Sequence, residues 1–167
     1  GYLNIALAFP DEGSKKRFEH VIPNDIPRIT CGKIRRGAER DVKIVEFPGI
    51  GLKLFDHVII IDDIAHSGQT LFSCYEALKR EGCKRISAFV PHTVFEENQH
   101  LKFMPGGEWE GFYRFWLTDS IPEQAAKLHN KGPFRALSLT SLIVKDLLKR
   151  RKIEFQVPEI HVHVASD

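Results

Sequence analysis

The stretch Asp62-Asp63-Ile64-Ala65-His66-Ser67-Gly68-Gln69-Thr70 puts two adjacent carboxylates directly before a run of small and hydroxyl-bearing residues. Paired carboxylates are poor company for another anion, but they accept hydrogen bonds from sugar hydroxyls and can share a Mg²⁺. Ser67, Gly68 and Thr70 precede a helical pattern. The first N–H groups of a helix are unpaired and carry partial positive charge, so backbone donors and two hydroxyls can hold a phosphate there. An acid pair followed by a phosphate loop points to a phosphosugar. Taken singly, Asp62 and Asp63 could merely end a strand and Thr70 could be an ordinary helix cap. The order of strand, acid pair, small-residue loop and helix is what favours ligand binding.

Something must hold these groups. Val58-Ile59-Ile60-Ile61 is a short β-branched run of the kind buried on both faces in a parallel sheet. Thr70–Glu81 repeats Leu71, Tyr75 and Leu78 at helical spacing with Gly82 as its stop, and Ile86–Val90 closes a βαβ unit. Ligands of such sheets sit at the carboxyl ends of the strands, where residues 62–70 fall. Leu3–Phe9 reads as a buried strand entering the turn Pro10-Asp11-Glu12-Gly13, with a short helix from Ser14. Ile26–Cys31, Phe112–Leu117 and Phe134–Leu139 add strands, and Ser141–Arg151 a closing amphipathic helix. Lys33–Arg40 is a charged excursion followed by the alternating Val42–Phe47, one arm of a hairpin standing out from the core. Glu96–Gly111, with Pro105, Gly106 and Gly107, is predicted as a surface loop with little fixed structure. The fold class is α/β, a mostly parallel central sheet flanked by helices, with a protruding hairpin flap.

The 167 residues suit one domain, predicted over residues 1–153, with an extended tail over 154–167 that is either an edge strand or a docking arm. With 43% hydrophobic residues and a net charge of +2, the chain can bury a core, and its charge does not suggest a nucleic-acid coat or a membrane-surface protein. No apolar stretch is long enough for a membrane helix. The chain begins Gly1-Tyr2-Leu3 without Met, which suggests a piece of a longer protein. Cys31, Cys74 and Cys83 form no C-x-x-C; Cys31 and Cys74 read as small core residues, and a reducing, cytoplasmic compartment is expected. His66 could face an anion or solvent, His92 reads as a packed or hydrogen-bonded residue, and His161 with His163 lacks a third metal ligand.

Val58–Thr70 resembles the phosphoribosyl-pyrophosphate signature of the type I phosphoribosyltransferase fold, which phosphoribosyltransferases share with ribose-phosphate diphosphokinases. Further stretches resemble the second half of a diphosphokinase of the plant type, over about residues 5–150. They are Phe9–Gly13 with Lys16-Arg17-Phe18, Cys31-Gly32-Lys33-Ile34-Arg35, Pro91–Phe95, Phe115–Ser120 and Phe134–Leu139. The resemblance implies transfer of the β,γ-diphosphoryl group of ATP to the 1-hydroxyl of ribose 5-phosphate, giving phosphoribosyl pyrophosphate and AMP.

Carried over by position, Asp62 and Asp63 would hold the ribose 2- and 3-hydroxyls, and Ala65, His66, Ser67, Gly68, Gln69 and Thr70 would wrap the 5-phosphate. Asp11 would ligate Mg²⁺ near the sugar, and Lys33 and Arg35 match the Lys-x-Arg of a mobile catalytic flap. Gln69 stands where the family has Gly, which puts tight 5-phosphate binding in question, since Gly permits positive φ. The family's N-terminal domain, which supplies much of the ATP pocket, has no counterpart here, so this chain alone is expected to be inactive. The family also implies homo-oligomers or assembly with synthetase subunits; neither nucleic acid nor a membrane is an expected partner. A non-catalytic regulatory subunit and a phosphoribosyltransferase of nucleotide salvage are the alternatives.

Overall fold

In a computed structural model, which describes residues 4–36, 39–47, 49 and 51–150, the apolar runs become a seven-stranded sheet. Along the described chain run β1 (Ile5–Phe9), β2 (Arg28–Arg36), β3 (Glu39–Glu46), β4 (His57–Ile61), β5 (Ile64–Ala65), β6 (Ile86–Val90), β7 (His92–Thr93), β8 (Phe115–Thr118) and β9 (Phe134–Leu137). The helices are α1 (Glu12–Phe18), α2 (Gln69–Arg80), α3 (Pro122–Leu128) and α4 (Leu139–Arg150). The strand order is β3-β2-β1-β4-β6-β8-β9, parallel except for β3, while β5 and β7 form a separate two-stranded pair. From β1 the chain passes first to β2 on one side and then to β4 on the other. The carboxyl ends of β1 and β4 therefore flank a switch point, where loops diverge and leave a crevice.

Burial explains the strand sequences. Ala6, Ala8 and Phe9 in β1, Val58 and Ile60 in β4, and Ala88 and Val90 in β6 are fully covered. Helices on both faces of a parallel sheet require apolar residues throughout. In α2, Leu71, Cys74, Tyr75 and Leu78 recur every three or four residues and form its buried stripe. Each buried Leu contributes roughly 1.5–3 kcal/mol from apolar burial. Gly82, at φ +88, ends α2 as predicted. Cys31 and Cys74 lie in the core with their sulfurs 3.2 Å apart, each a free thiol.

Three expectations change. Glu96–Gly111 is not a loose loop: Gln99–Phe103 forms a 3₁₀ helix, and Phe103 and Trp109 are buried. Phe103 packs against Phe95, Phe112, Phe115 and Phe134 with ring centroids 5.4–6.1 Å apart. Its Gly and Pro residues mark the turns of a segment whose aromatic anchors outweigh its loop-like composition. The strand predicted to end at Cys31 instead runs to Arg36, pairing with β1 through Thr30 and thereafter with β3 alone. The charged excursion is thus the outer half of a continuous hairpin, whose strand lengths are set by pairing rather than by apolar pattern. Helix α3 went unforeseen; it is short, starts with Pro122 at its first turn and buries Ala125 and Leu128. The tail at 154–167, with His161 and His163, lies outside the described residues.

Candidate functional site

Asp11, Arg17, Asp62, Asp63, Ile64, Ala65, His66, Ser67, Gly68, Thr70 and Leu71 line one cleft of about 310 Å³ at the switch point. Hydrogen bonds hold its rim in place. Asp62 N–H donates to Phe89 O (3.2 Å), His92 N–H to Asp63 O (3.1 Å) and Val94 N–H to Ala65 O (2.9 Å). The pairing of β5 with β7 thus fastens the acid pair and the start of the loop to the chain leaving β6.

The loop turns at Gly68, whose φ is +78, and α2 begins at the next residue. A Cβ at Gly68 would stand 2.5 Å from Phe103 Cζ, so the loop rests directly on the aromatic segment. The first helical bond of α2 is Phe72 N–H to Gly68 O (3.0 Å), leaving the preceding Thr70 and Leu71 amides outside the i→i−4 ladder. Small residues, unpaired amides and the helix dipole together make an anion cradle. Gln69 bears on the concern raised by its identity. It is the first helical residue, its amide Nε2 donates to Ser73 Oγ (3.3 Å), and it does not line the cleft. The positive φ that only glycine adopts cheaply falls at Gly68 instead.

The two carboxylates of the pair differ. Burial pushes the Asp62 carboxyl up to about 6, above the usual carboxylate range, although hydrogen bonds from Asp63 N–H (3.0 Å) and Ser14 Oγ (3.1 Å) favour its charged form. Asp63 is more open and forms an ion pair with Arg17 at 2.8 Å. Asp11 caps α1, its Oδ1 accepting from Ser14 N–H at 2.9 Å. Among the described residues no three His, Cys, Asp or Glu side chains converge as in a closed metal centre. A Mg²⁺ site needs less, because that ion keeps waters and takes only one or two carboxylates beside substrate oxygens. Asp11, with one oxygen outside the cap, fits that donor set.

Of the sequence-derived candidates, Asp11, Asp62, Asp63, Ala65, His66, Ser67, Gly68 and Thr70 meet in the cleft. His66 also approaches Glu96, Nε2 to Oε1 3.3 Å. Lys33 and Arg35 lie two apart on the outer half of β2; Lys33 is exposed and does not line the cleft. His92 is hydrogen-bonded, with Nδ1 2.9 Å from Ser120 Oγ. Arg17 and Ser14 are the residues that sequence reasoning passed over. Asp11-x-x-Ser14 is legible as a helix cap, but the contacts of Ser14 and Arg17 with the acid pair span more than forty residues of chain and leave no local trace.

Residues 32–112 match the family described as the phosphoribosyl transferase domain. Ribose-phosphate pyrophosphokinase 4 of Oryza sativa subsp. japonica is 37% identical over 147 residues, covering 86% of this chain and 44% of its own. Ribose-phosphate pyrophosphokinase 3, chloroplastic, of Arabidopsis thaliana is 39% identical over 147 residues, with 86% and 34% covered. The mitochondrial pyrophosphokinase 3 of Spinacia oleracea is 37% identical over 147 residues, with 86% and 35% covered. The chain spans less than half the length of these relatives.

Proposed function

We propose, for a chain that carries a phosphoribosyl transferase domain and is a relative of the plant ribose-phosphate pyrophosphokinases, that it forms the ribose-phosphate-holding half of an enzyme making phosphoribosyl pyrophosphate and AMP from ATP and ribose 5-phosphate. The observation that carries this reading is the meeting of the acid pair and the phosphate cradle in one cleft. The cradle at 65–70 takes the 5-phosphate, with its charge met by the first amides of α2 and the Ser67 and Thr70 hydroxyls. Asp62 and Asp63 accept from the 2- and 3-hydroxyls, which fixes the sugar so that its 1-hydroxyl is presented to the diphosphoryl group.

Asp11 is the residue that would hold Mg²⁺, which when bound offsets the charge of the polyphosphate. Lys33 and Arg35, on the hairpin, act by closing over ATP, because phosphoryl transfer depends on positioning and on neutralising developing charge. Their place on the outer half of the hairpin suits a flap that moves. The ATP pocket belongs to the part of the relatives that this chain does not span. Self-association of the whole protein and a cytoplasmic location belong to the same proposal.

Two measurements test it. The 167-residue chain should bind ribose 5-phosphate more tightly than inorganic phosphate and release no AMP from ATP. The full-length protein should form phosphoribosyl pyrophosphate from ATP and ribose 5-phosphate. Consumption of phosphoribosyl pyrophosphate with a nucleobase, and no synthesis of it, would overturn the reading in favour of a salvage transferase.

A further inference from the structure

Ser14 sits in the first turn of α1 and is 1% exposed. A buried hydroxyl is unfavourable unless it is hydrogen-bonded. The Ser14 hydroxyl reaches across the switch point to the end of β4, with Oγ 2.8 Å from Ile61 O and 3.1 Å from Asp62 Oδ1. Its backbone N–H donates to Asp11 Oδ1 at 2.9 Å. One residue therefore touches both carboxylates that stand on either side of the crevice. On Asp62 both donors, Ser14 Oγ and Asp63 N–H, converge on Oδ1. On Asp11 the cap also uses Oδ1. In each case one oxygen is tied to the protein and Oδ2 has no donor among the described residues.

Resting on the reading of the cleft as a ribose-phosphate site, we infer that the Ser14 hydroxyl is a positioning group that fixes which carboxylate oxygen of Asp62 is offered to the sugar, while the backbone N–H of the same residue holds Asp11. The hydroxyl acts through the Asp62 carboxylate and does not touch the phosphate cradle. A hydroxyl carries one proton, which Ile61 O and Asp62 Oδ1 share as acceptors, so the contact holds Oδ1 without satisfying the carboxylate. Adjacent sugar hydroxyls supply the donors it lacks. Without the Ser14 hydroxyl only the Asp63 N–H, among the described residues, holds Asp62 Oδ1, so the site grips the sugar less firmly but keeps its grip on the phosphate.

The test compares binding of ribose 5-phosphate, 2-deoxyribose 5-phosphate and inorganic phosphate to the wild-type chain, Ser14→Ala and Ser14→Cys by calorimetry. The expected result is an affinity for ribose 5-phosphate about tenfold weaker in both variants, the scale of one hydrogen bond to a charged group. Inorganic phosphate should bind unchanged, and the preference for ribose over deoxyribose should shrink. On an Asp62→Ala background Ser14→Ala should cost nothing further. Ser14→Cys keeps an atom at the γ position but is a weak donor, so it separates lost packing from a lost hydrogen bond. Unchanged ribose 5-phosphate affinity in both variants, or equal losses for ribose 5-phosphate and phosphate, overturns the inference alone. A wild-type chain that does not prefer ribose 5-phosphate to phosphate overturns the functional reading, and the role of Ser14 with it.

Discussion

Replacing Gly68 with alanine tests whether the loop proposed to hold phosphate is built on the aromatic segment. At φ +78 a side chain is strained, at a cost of about 1–2 kcal/mol. The new Cβ would stand 2.5 and 2.7 Å from two ring carbons of Phe103, itself 1% exposed and packed on four other Phe rings. Such overpacking adds about 1–3 kcal/mol. The sum of about 2–5 kcal/mol corresponds to a fall in Tm on the order of 5–15 °C for a domain of this size. The assay is thermal denaturation followed by circular dichroism, with calorimetric titration of inorganic phosphate below the transition. Combining Gly68→Ala with Phe103→Leu should relieve the clash but not the backbone strain, so the double variant should lose about 1–2 kcal/mol less than the sum of the singles. An unchanged Tm for Gly68→Ala, or strict additivity in the double variant, would refute the claim that the ring supports the loop.

Other variants probe the rest of the cleft. The Asp62 pKa is raised to about 6 in the folded state, above its unfolded value, so its contribution to stability is present at low pH and lost as pH rises from about 4 through 6. Asp62→Asn should therefore stabilise the ligand-free chain at pH 7.5 by about 1 kcal/mol after solvent screening, with the gain vanishing near pH 4; paired melts at the two pH values read this, and an equal gain at both contradicts it. Gln69→Gly should leave phosphate affinity within about threefold while lowering stability by up to about 1 kcal/mol, because residue 69 is helical and does not line the cleft. A marked tightening of phosphate binding would show instead that Gln69 obstructs the site. Lys33→Ala and Arg35→Ala in the full-length protein should reduce turnover by about 10²-fold with ribose 5-phosphate affinity unchanged; loss of that affinity would move both residues from the flap into the sugar site.

How much could be read from the sequence follows from the range of the forces involved. The run from Val58 to Thr70 was legible because a β-branched strand, an acid pair, a small-residue turn and an amphipathic helix are consecutive, and each leaves a local pattern. The βαβ unit and the position of the acid pair at a strand end followed from that alone. The structure of residues 96–111 is not legible in the sequence because Gly and Pro are local signals, whereas Phe103 also packs on Phe134 and Trp109 on Phe72, partners that meet them only after folding. The hairpin's full extent was hidden for the same reason, since cross-strand pairing allows charged residues to continue a strand.

The amino-acid order determined what the cleft is made of: two carboxylates, a small-residue loop ahead of a helix, and an acidic turn at Asp11. Only the tertiary structure decided how these groups are presented. It set the left-handed residue at Gly68 over Phe103, buried Asp62 while leaving Asp63 to Arg17, and brought Ser14 across 48 positions to hold one oxygen of the acid pair. Composition fixes which donors and charges a chain carries. Their environment, and with it their protonation and the atoms they offer a ligand, depends on what packs against them, and in this chain those neighbours come from separate strands meeting at a switch point.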